Sequence, residues 1–415
     1  MDDASLDVTG FSKDKLAAIP PMLQGQVDKG NLSGFVTLTW RHGQVAQVNT
    51  IGWRNIAEKA PMQRNTIFRI ASMTKPITSV AILQLVEEGK IKLDDPITKW
   101  APEFAGMKVL KTAEGPLDEV YDSPRDITFD DLLTHRAGLA YGFTSVGPIA
   151  YAHQKALGDV LNSDMTPDAW MAALGSLPLS YPPGERFHYS HATDVLGFLV
   201  GRIDGKPFRQ SLLDRILKPL GMADTDFYFP PDKRDRMATV YRVGKTGDLE
   251  VAPMKLYDTP PNFTGGGGGL TSTADDYLKF IRMLMGKGEV DGVRLLKPET
   301  VELMLTNRLT PAQREITFMG LPFWIGQGFG LGLSIVDDAE KQSWMGATAN
   351  GAFSWPGAFG TWWRGDPAND MIILYLIQNA MPLEPESASQ LATGQRSEGQ
   401  MALPFFLNMT YEALT

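Results

Sequence analysis

The chain has no cysteine in its 415 residues. Disulfide frameworks, thiolate zinc sites and cysteine nucleophiles are therefore excluded together. Histidine is scarce too: His42, His135, His153, His188 and His191 are all there is. Only the last two are near neighbours, and a three-residue spacing without an adjacent carboxylate is poor metal-ligand spacing. No apolar run approaches the ~20 residues of a membrane-spanning helix. The longest, Met371 to Ile377, has the length of a strand. An excess of positive charge is also missing, since 39 Lys+Arg against 48 Asp+Glu leave a net charge of -9. A mixed, mildly acidic surface argues against nucleic acid or an anionic membrane as partner. The start, Met1-Asp2-Asp3, carries the wrong charge for a secretory leader. These absences describe a soluble, cytoplasmic protein with no nucleic-acid or membrane partner.

Several catalytic signatures are missing as well. There is no Gly-x-Ser-x-Gly elbow, no Walker A loop and no His-Glu-x-x-His. The run Gly265 to Gly269 fails the dinucleotide fingerprint, because Leu270 stands where the third glycine belongs. It reads instead as a joint or a very tight loop.

What is present is the balance of an ordinary globular protein, with 43% hydrophobic and 21% charged residues. The length fits two to three domains, or one domain carrying a long insertion. Phe35 to His42 and Gln44 to Ile51 read as a hairpin turning at His42-Gly43, and Thr66 to Ile70 as a short strand. Ser72 to Glu88 is helical in composition, stopped by Gly89, and apolar nearly all round, so it belongs in the interior. Short helical patterns follow over Phe129 to Thr134, Pro167 to Leu174, Ala192 to Ile203 and Phe208 to Ile216. Ala274 to Met285 is an amphipathic helix. Strands are expected at Gly330 to Val336, Trp344 to Phe353, Ala358 to Arg364 and Met371 to Gln378, the last two joined by a turn at Asp366-Pro367. A closing helix is expected over Gln400 to Ala413. The fold class is α/β: one antiparallel sheet built from both chain ends, flanked by helices and interrupted by a mostly helical insertion. Residues 1–90 and 265–415 form the α/β domain and 91–264 the helical one, with the active site at their junction.

Ser72-Met73-Thr74-Lys75 is a Ser-x-x-Lys pattern, common in isolation. Pro76 is compatible only with the first turn of a helix, so the helix begins at or just before Ser72. The hydroxyl then sits at the positive end of the helix dipole. Positions three apart share a face, so Lys75 can reach Ser72. Burial in this helix favours the neutral amine, which can act as a base and activate the serine. A second candidate, Tyr189-Ser190-His191, follows the turn Tyr181-Pro182-Pro183-Gly184-Glu185; alone, Tyr189 would be read as a buried aromatic at a helix start.

Together these segments carry a resemblance. Phe68-Arg69-Ile70-Ala71-Ser72-Met73-Thr74-Lys75 resembles the nucleophile segment of the serine β-lactamase and penicillin-binding superfamily. Leu132 to Leu139, Pro182-Pro183-Gly184 before Tyr189-Ser190, and Gly267 to Asp275 are similar to further landmarks of that group, in the same order. The nearest branch resembles the class C β-lactamase-like esterases, the family VIII carboxylesterases. His191 occupies the position of the usual asparagine. The usual Lys-Thr-Gly is sought near Ser354 to Thr361, where Trp355 stands at the lysine position and Gly357 at the glycine. A literal Lys245-Thr246-Gly247 lies in a hydrophilic turn and is rejected as a decoy.

The resemblance implies a serine hydrolase that cleaves small, neutral carboxylic esters through an acyl-enzyme on Ser72. Lys75 and Tyr189 share the acid–base work, with the first base left open. The backbone N–H groups of Ser72 and Ala358 form the oxyanion site, and Trp355, Gly357 and His191 contribute to substrate binding. The partner is a small-molecule ester, and no cofactor or metal is implied. Two alternatives stand: a β-lactamase, D-peptidase or amidase using the same Ser72, Lys75 and Tyr189, and a catalytically idle penicillin-recognition fold used for binding.

Overall fold

Every residue from Met371 to Ile377 is apolar, and a strand built from such a run needs cover on both faces. Met371, Ile373, Tyr375 and Ile377 face one cluster, with Phe35, Trp362, Phe406 and Leu407. Ile372, Leu374 and Leu376 face the main core, with Val36, Leu38 and Trp363. The alternation is the two-residue period of a strand. The computed structural model describes residues 9–159, 161, 163–244, 247–387 and 398–415.

This strand is the last of eight: β1 (Gly34–Arg41), β2 (Gln44–Asn55), β3 (Ala60–Pro61), β4 (Gln327–Phe329), β5 (Ser334–Val336), β6 (Phe353–Ser354), β7 (Trp362–Asp366) and β8 (Met371–Leu376). Their order across the sheet is β4-β5-β6-β7-β8-β1-β2-β3, and neighbours run antiparallel. The two chain ends meet at β1 and β8, where Val36 pairs with Leu376 and Arg41 with Met371. The β1–β2 turn falls on His42 and Gly43, both at positive φ, the backbone of a tight hairpin turn. The expected α/β architecture, one sheet from both ends, is the one observed.

Helices cover both faces. On one lie α1 (Ile19–Asp28) and α5 (Glu398–Glu412). On the other lies α4 (Ala274–Met285), packed against β7 and β8. Helix α2 (Thr74–Glu87) is buried almost all round and packs on α3 (Ala192–Asp204) of the helical region. Side chains of both α2 and α3 belong to one continuous core. Among the described residues no helix is long and apolar enough to cross a membrane.

Several local expectations need correction. Trp344 to Phe353 is not a strand: Ser343–Met345 form a 3-10 turn and pairing starts only at Phe353. Gly346 and Gly351 take positive φ, and the small residues between them offer no alternating face. Gly330 to Val336 is split, because Gly332 turns at a φ of 93° between β4 and β5. In Ala358 to Arg364 the strand begins only at Trp362, after a turn. The helix from Phe208 stops at Leu212 and continues as a π-turn, Leu213–Leu217. Tyr241–Val243 and Leu249–Val251 form a small hairpin. Lys245 and Thr246 lie outside the described residues; Gly247, at a φ of 88°, is part of the connecting turn.

Candidate active site

Ser72 sits in a single 3-10 turn, Ala71–Met73, directly ahead of α2. Pairing of Phe68 with Ser272 and Arg69 with Thr271 delivers the chain to that turn. Ile70 N–H donates to Leu270 O at 3.1 Å, and Leu270 N–H to the Thr74 hydroxyl at 3.2 Å. Ala71 has a φ of 43°, a left-handed conformation that costs an L-residue about 1–2 kcal/mol. The strain falls on the residue immediately before Ser72. Pro76 occupies the first turn of α2, as its missing N–H requires.

Lys75 is completely buried. Its Nζ lies 3.2 Å from Ser72 Oγ, 3.3 Å from the Tyr141 hydroxyl and 2.6 Å from the Gly267 carbonyl oxygen. The same nitrogen stands over the Tyr189 ring, 4.6 Å from its centroid. The glycine run makes the third contact possible. A β-carbon at Gly267 would stand 2.9 Å from both Asp194 carboxylate oxygens and from the Tyr141 hydroxyl, closer than side-chain carbons pack. Without one, the backbone passes between α2 and α3, and Gly267 N–H donates to Asp194 Oδ1 at 2.8 Å.

Asp194 is buried at the start of α3. Besides Gly267, its carboxylate accepts from the Tyr141 hydroxyl at 3.4 Å and meets His191 Nδ1 at 3.1 Å. Burial, with the charge of Asp194 and the neighbouring Tyr189, holds the Tyr141 phenol well above its ordinary pKa. Tyr141 is therefore a protonated hydroxyl that donates towards Asp194 and accepts from Lys75. The sequence reading missed Tyr141, Asp194 and the Gly267 carbonyl. Tyr141 lies two residues past the Leu132 to Leu139 segment, and Asp194 follows His191 by three residues on one turn, so both lay beside segments already singled out.

Tyr189 is buried, lines the same cavity as Ser72 and accepts a hydrogen bond from Trp355 Nε1 at 3.1 Å. Trp355 begins the turn between β6 and β7. This turn is pinned to the nucleophile segment by the Thr361 hydroxyl donating to Ile70 O at 3.2 Å and closed by Gly357 N–H donating to Thr361 O at 2.8 Å. A β-carbon at Gly357 would lie 2.2 Å from Thr361 Oγ1 and 2.5 Å from Ile70 O. Ser72 and Ala358 line one cavity.

That cavity measures about 170 Å³ and brings Ser72, Tyr189, Trp355, Gly357 and Ala358 together. His191 is not on its wall. It lies behind the site, 3% exposed, with its ring against Tyr141, Trp170 and His153. A second cavity, about 230 Å³, adjoins the first at Phe143, Tyr189, Phe318 and Met319 and is lined also by Ser145, Arg186 and His188. Burial holds His188 down to about 4 and His153 to about 3, so both rings are neutral near neutral pH.

The fold is shared with known proteins. The beta-lactamase family model matches residues 21–393. Protein Rv1367c of Mycobacterium tuberculosis is 51% identical over 391 residues, which cover 93% of this chain and 96% of the relative. Esterase EstB of Burkholderia gladioli is 29% identical over 405 residues, covering 92% and 95%. Among solved structures, EstCE1, a hydrolase with promiscuous acyltransferase activity, superposes with a TM-score of 0.75 at 26% identity, covering 92% of this chain and 98% of its own.

Proposed function

The chain belongs to the beta-lactamase family, and we propose that within it the protein is a carboxylesterase: a serine hydrolase that cleaves small-molecule esters with uncharged acyl groups. The observation that carries the reading is the set of contacts around Lys75 Nζ. A neutral amine has two N–H bonds and one lone pair. Gly267 O can only accept, and the Tyr141 hydroxyl, committed to Asp194, accepts as well. A neutral Lys75 would use both N–H bonds on these two acceptors and keep its lone pair for the Ser72 hydroxyl, 3.2 Å away.

On this reading Lys75 takes the proton as Ser72 Oγ attacks the ester carbonyl. The new ammonium sits over the face of Tyr189, where a ring quadrupole stabilises a cation. The oxyanion lies between the N–H groups of Ser72 and Ala358. The C–O bond then breaks, Tyr189 gives its phenol proton to the departing alkoxide and takes one from the Lys75 ammonium, and the alcohol leaves with Lys75 neutral again. Water repeats the sequence on the acyl-enzyme and releases the acid. An ester rather than a β-lactam is favoured because Trp355 brings an indole where a carboxylate-binding cation would be needed, and EstB, similar over most of the chain, is named an esterase.

A fluorophosphonate probe, followed by peptide mapping and a comparison of nitrophenyl butyrate with a chromogenic cephalosporin, tests the proposal. Labelling of Ser72 with butyrate the better substrate is expected. Absence of labelling would overturn the catalytic reading, and a better cephalosporin would make the protein a β-lactamase.

A further inference from the structure

The cavity that holds Ser72 does not end at the reacting atoms. It continues past the turn 355–361 to Met381, Leu383 and Met345, and finishes against Leu403 and Leu407 of α5. These two leucines are one helical turn apart and share a face. Several polar groups on the wall are engaged elsewhere, although Arg364 Nε and Gln342 Oε1 have no partner among the described residues. Thr361 donates to Ile70 O, Gln327 to Phe323 O, and Arg364 to Ala347 O; the Arg364 guanidinium also lies over Trp362, 4.7 Å from its ring centroid. What remains facing the void is mostly hydrocarbon and aromatic surface, which holds water poorly and an alkyl chain well.

The two cavities differ in which reacting group they reach. The channel contains Ser72 and Ala358, so it borders the acyl carbon and its oxyanion. Both cavities contain Tyr189, but the second lacks Ser72 and Ala358, so it reaches only the group that protonates the leaving alcohol. Building on the acyl-enzyme reading above, we infer that the channel from Ser72 to Leu403 and Leu407 is an acyl-chain site, and that the enzyme acts on esters of medium- to long-chain fatty acids. This revises the small substrate expected from sequence: the wall that excludes charge also leaves length.

The test is a chain-length series of nitrophenyl esters: acetate, butyrate, octanoate and laurate. Each methylene drawn into the channel adds to binding, so kcat/KM is expected to rise by about tenfold or more from acetate to octanoate. Two channel variants, Leu407→Trp at the buried position and Leu403→Trp at the half-buried one, should each lower the octanoate-to-acetate ratio about tenfold. A parent enzyme fastest on acetate, or a folded variant with an unchanged ratio, would overturn the acyl channel while leaving the esterase reading intact. Failure to turn over every ester, with no fluorophosphonate adduct on Ser72, would overturn the esterase reading and the channel's role with it. The parent profile decides even if neither variant folds.

Discussion

Trp355 donates its indole N–H to the phenol oxygen of Tyr189 at 3.1 Å. An indole has one donor, so Trp355 is spent on Tyr189 and has nothing left for an anionic substrate. Under the proposed mechanism, specificity and proton relay would be joined in one hydrogen bond. A carboxylate placed against this wall would lose hydration without recovering it.

Trp355→Lys separates the two consequences. The ratio of kcat/KM for a cephalosporin to that for nitrophenyl butyrate should rise about tenfold or more, because a buried cation now meets the carboxylate. Butyrate turnover should fall as Tyr189 loses its partner. The ratio, measured in the folded variant, is the check. No change would mean that Trp355 does not govern the charge of the substrate.

Lys75 and Tyr189 should behave as a unit. Lys75→Ala and Tyr189→Phe are each expected to cost nearly as much kcat as the double variant, because groups that share one proton path are not additive. Two modest losses that multiply cleanly would show independent roles.

Tyr141→Phe keeps the ring packed against Phe143 and His191 but removes the hydroxyl between Lys75 and Asp194. The Lys75 N–H directed at it loses its acceptor, and the lone pair is no longer aimed. kcat should drop about ten- to a hundredfold with KM nearly constant, and the melting temperature should change little. Steady-state kinetics on one short ester reads this directly.

Gly357→Ala addresses the turn 355–361, which carries the proposed oxyanion donor of Ala358. The added methyl would meet Thr361 Oγ1 and Ile70 O well inside contact distance, so the turn must move away from Ser72. A loss of about a hundredfold in kcat is expected, the scale of one displaced oxyanion donor. Fluorophosphonate labelling should slow in parallel, since phosphonylation uses the same donors.

Acid should destabilise the fold through its histidines. Burial lowers His135 well below its ordinary range, His153 to about 3 and His188 to about 4. Between about pH 6.5 and those values the unfolded chain binds protons that the folded chain refuses, so stability falls as pH drops. The melting temperature should be lower at about pH 5 than at about pH 7. His153→Phe, which keeps a ring against His191, should narrow that gap.

Much of the frame was legible because its signals are local. The alternation in β1 and β2, the positive-φ turn at His42-Gly43 and the all-round apolarity of α2 are read within a few residues. Helix α1 was not, because Pro20-Pro21 looks like a break although proline is at home in a first turn. Of the site, Ser72 and Lys75 were legible as one turn of one helix. Tyr141, Asp194 and Gly267 were not, since nothing within the sequence around Lys75 names the partners that α3 and the glycine run bring to it. His191 was expected at the substrate and instead buttresses Asp194, a difference that only packing decides. Trp344 to Phe353 misled because an aromatic residue at each end gave the look of a strand to a stretch that two glycines turn.

The pairing of β1 with β8 also has a bearing on how the protein is made. Val36 meets Leu376, so the middle of the sheet joins an early segment to a very late one. On the ribosome, the β1–β2 hairpin must wait until β8 has been made before its open edge is closed. An unpaired apolar edge of that kind is a template for aggregation. Cellular demand for a holding chaperone should therefore end only when β8 has emerged, and fragments ending short of it should be insoluble rather than weakly active.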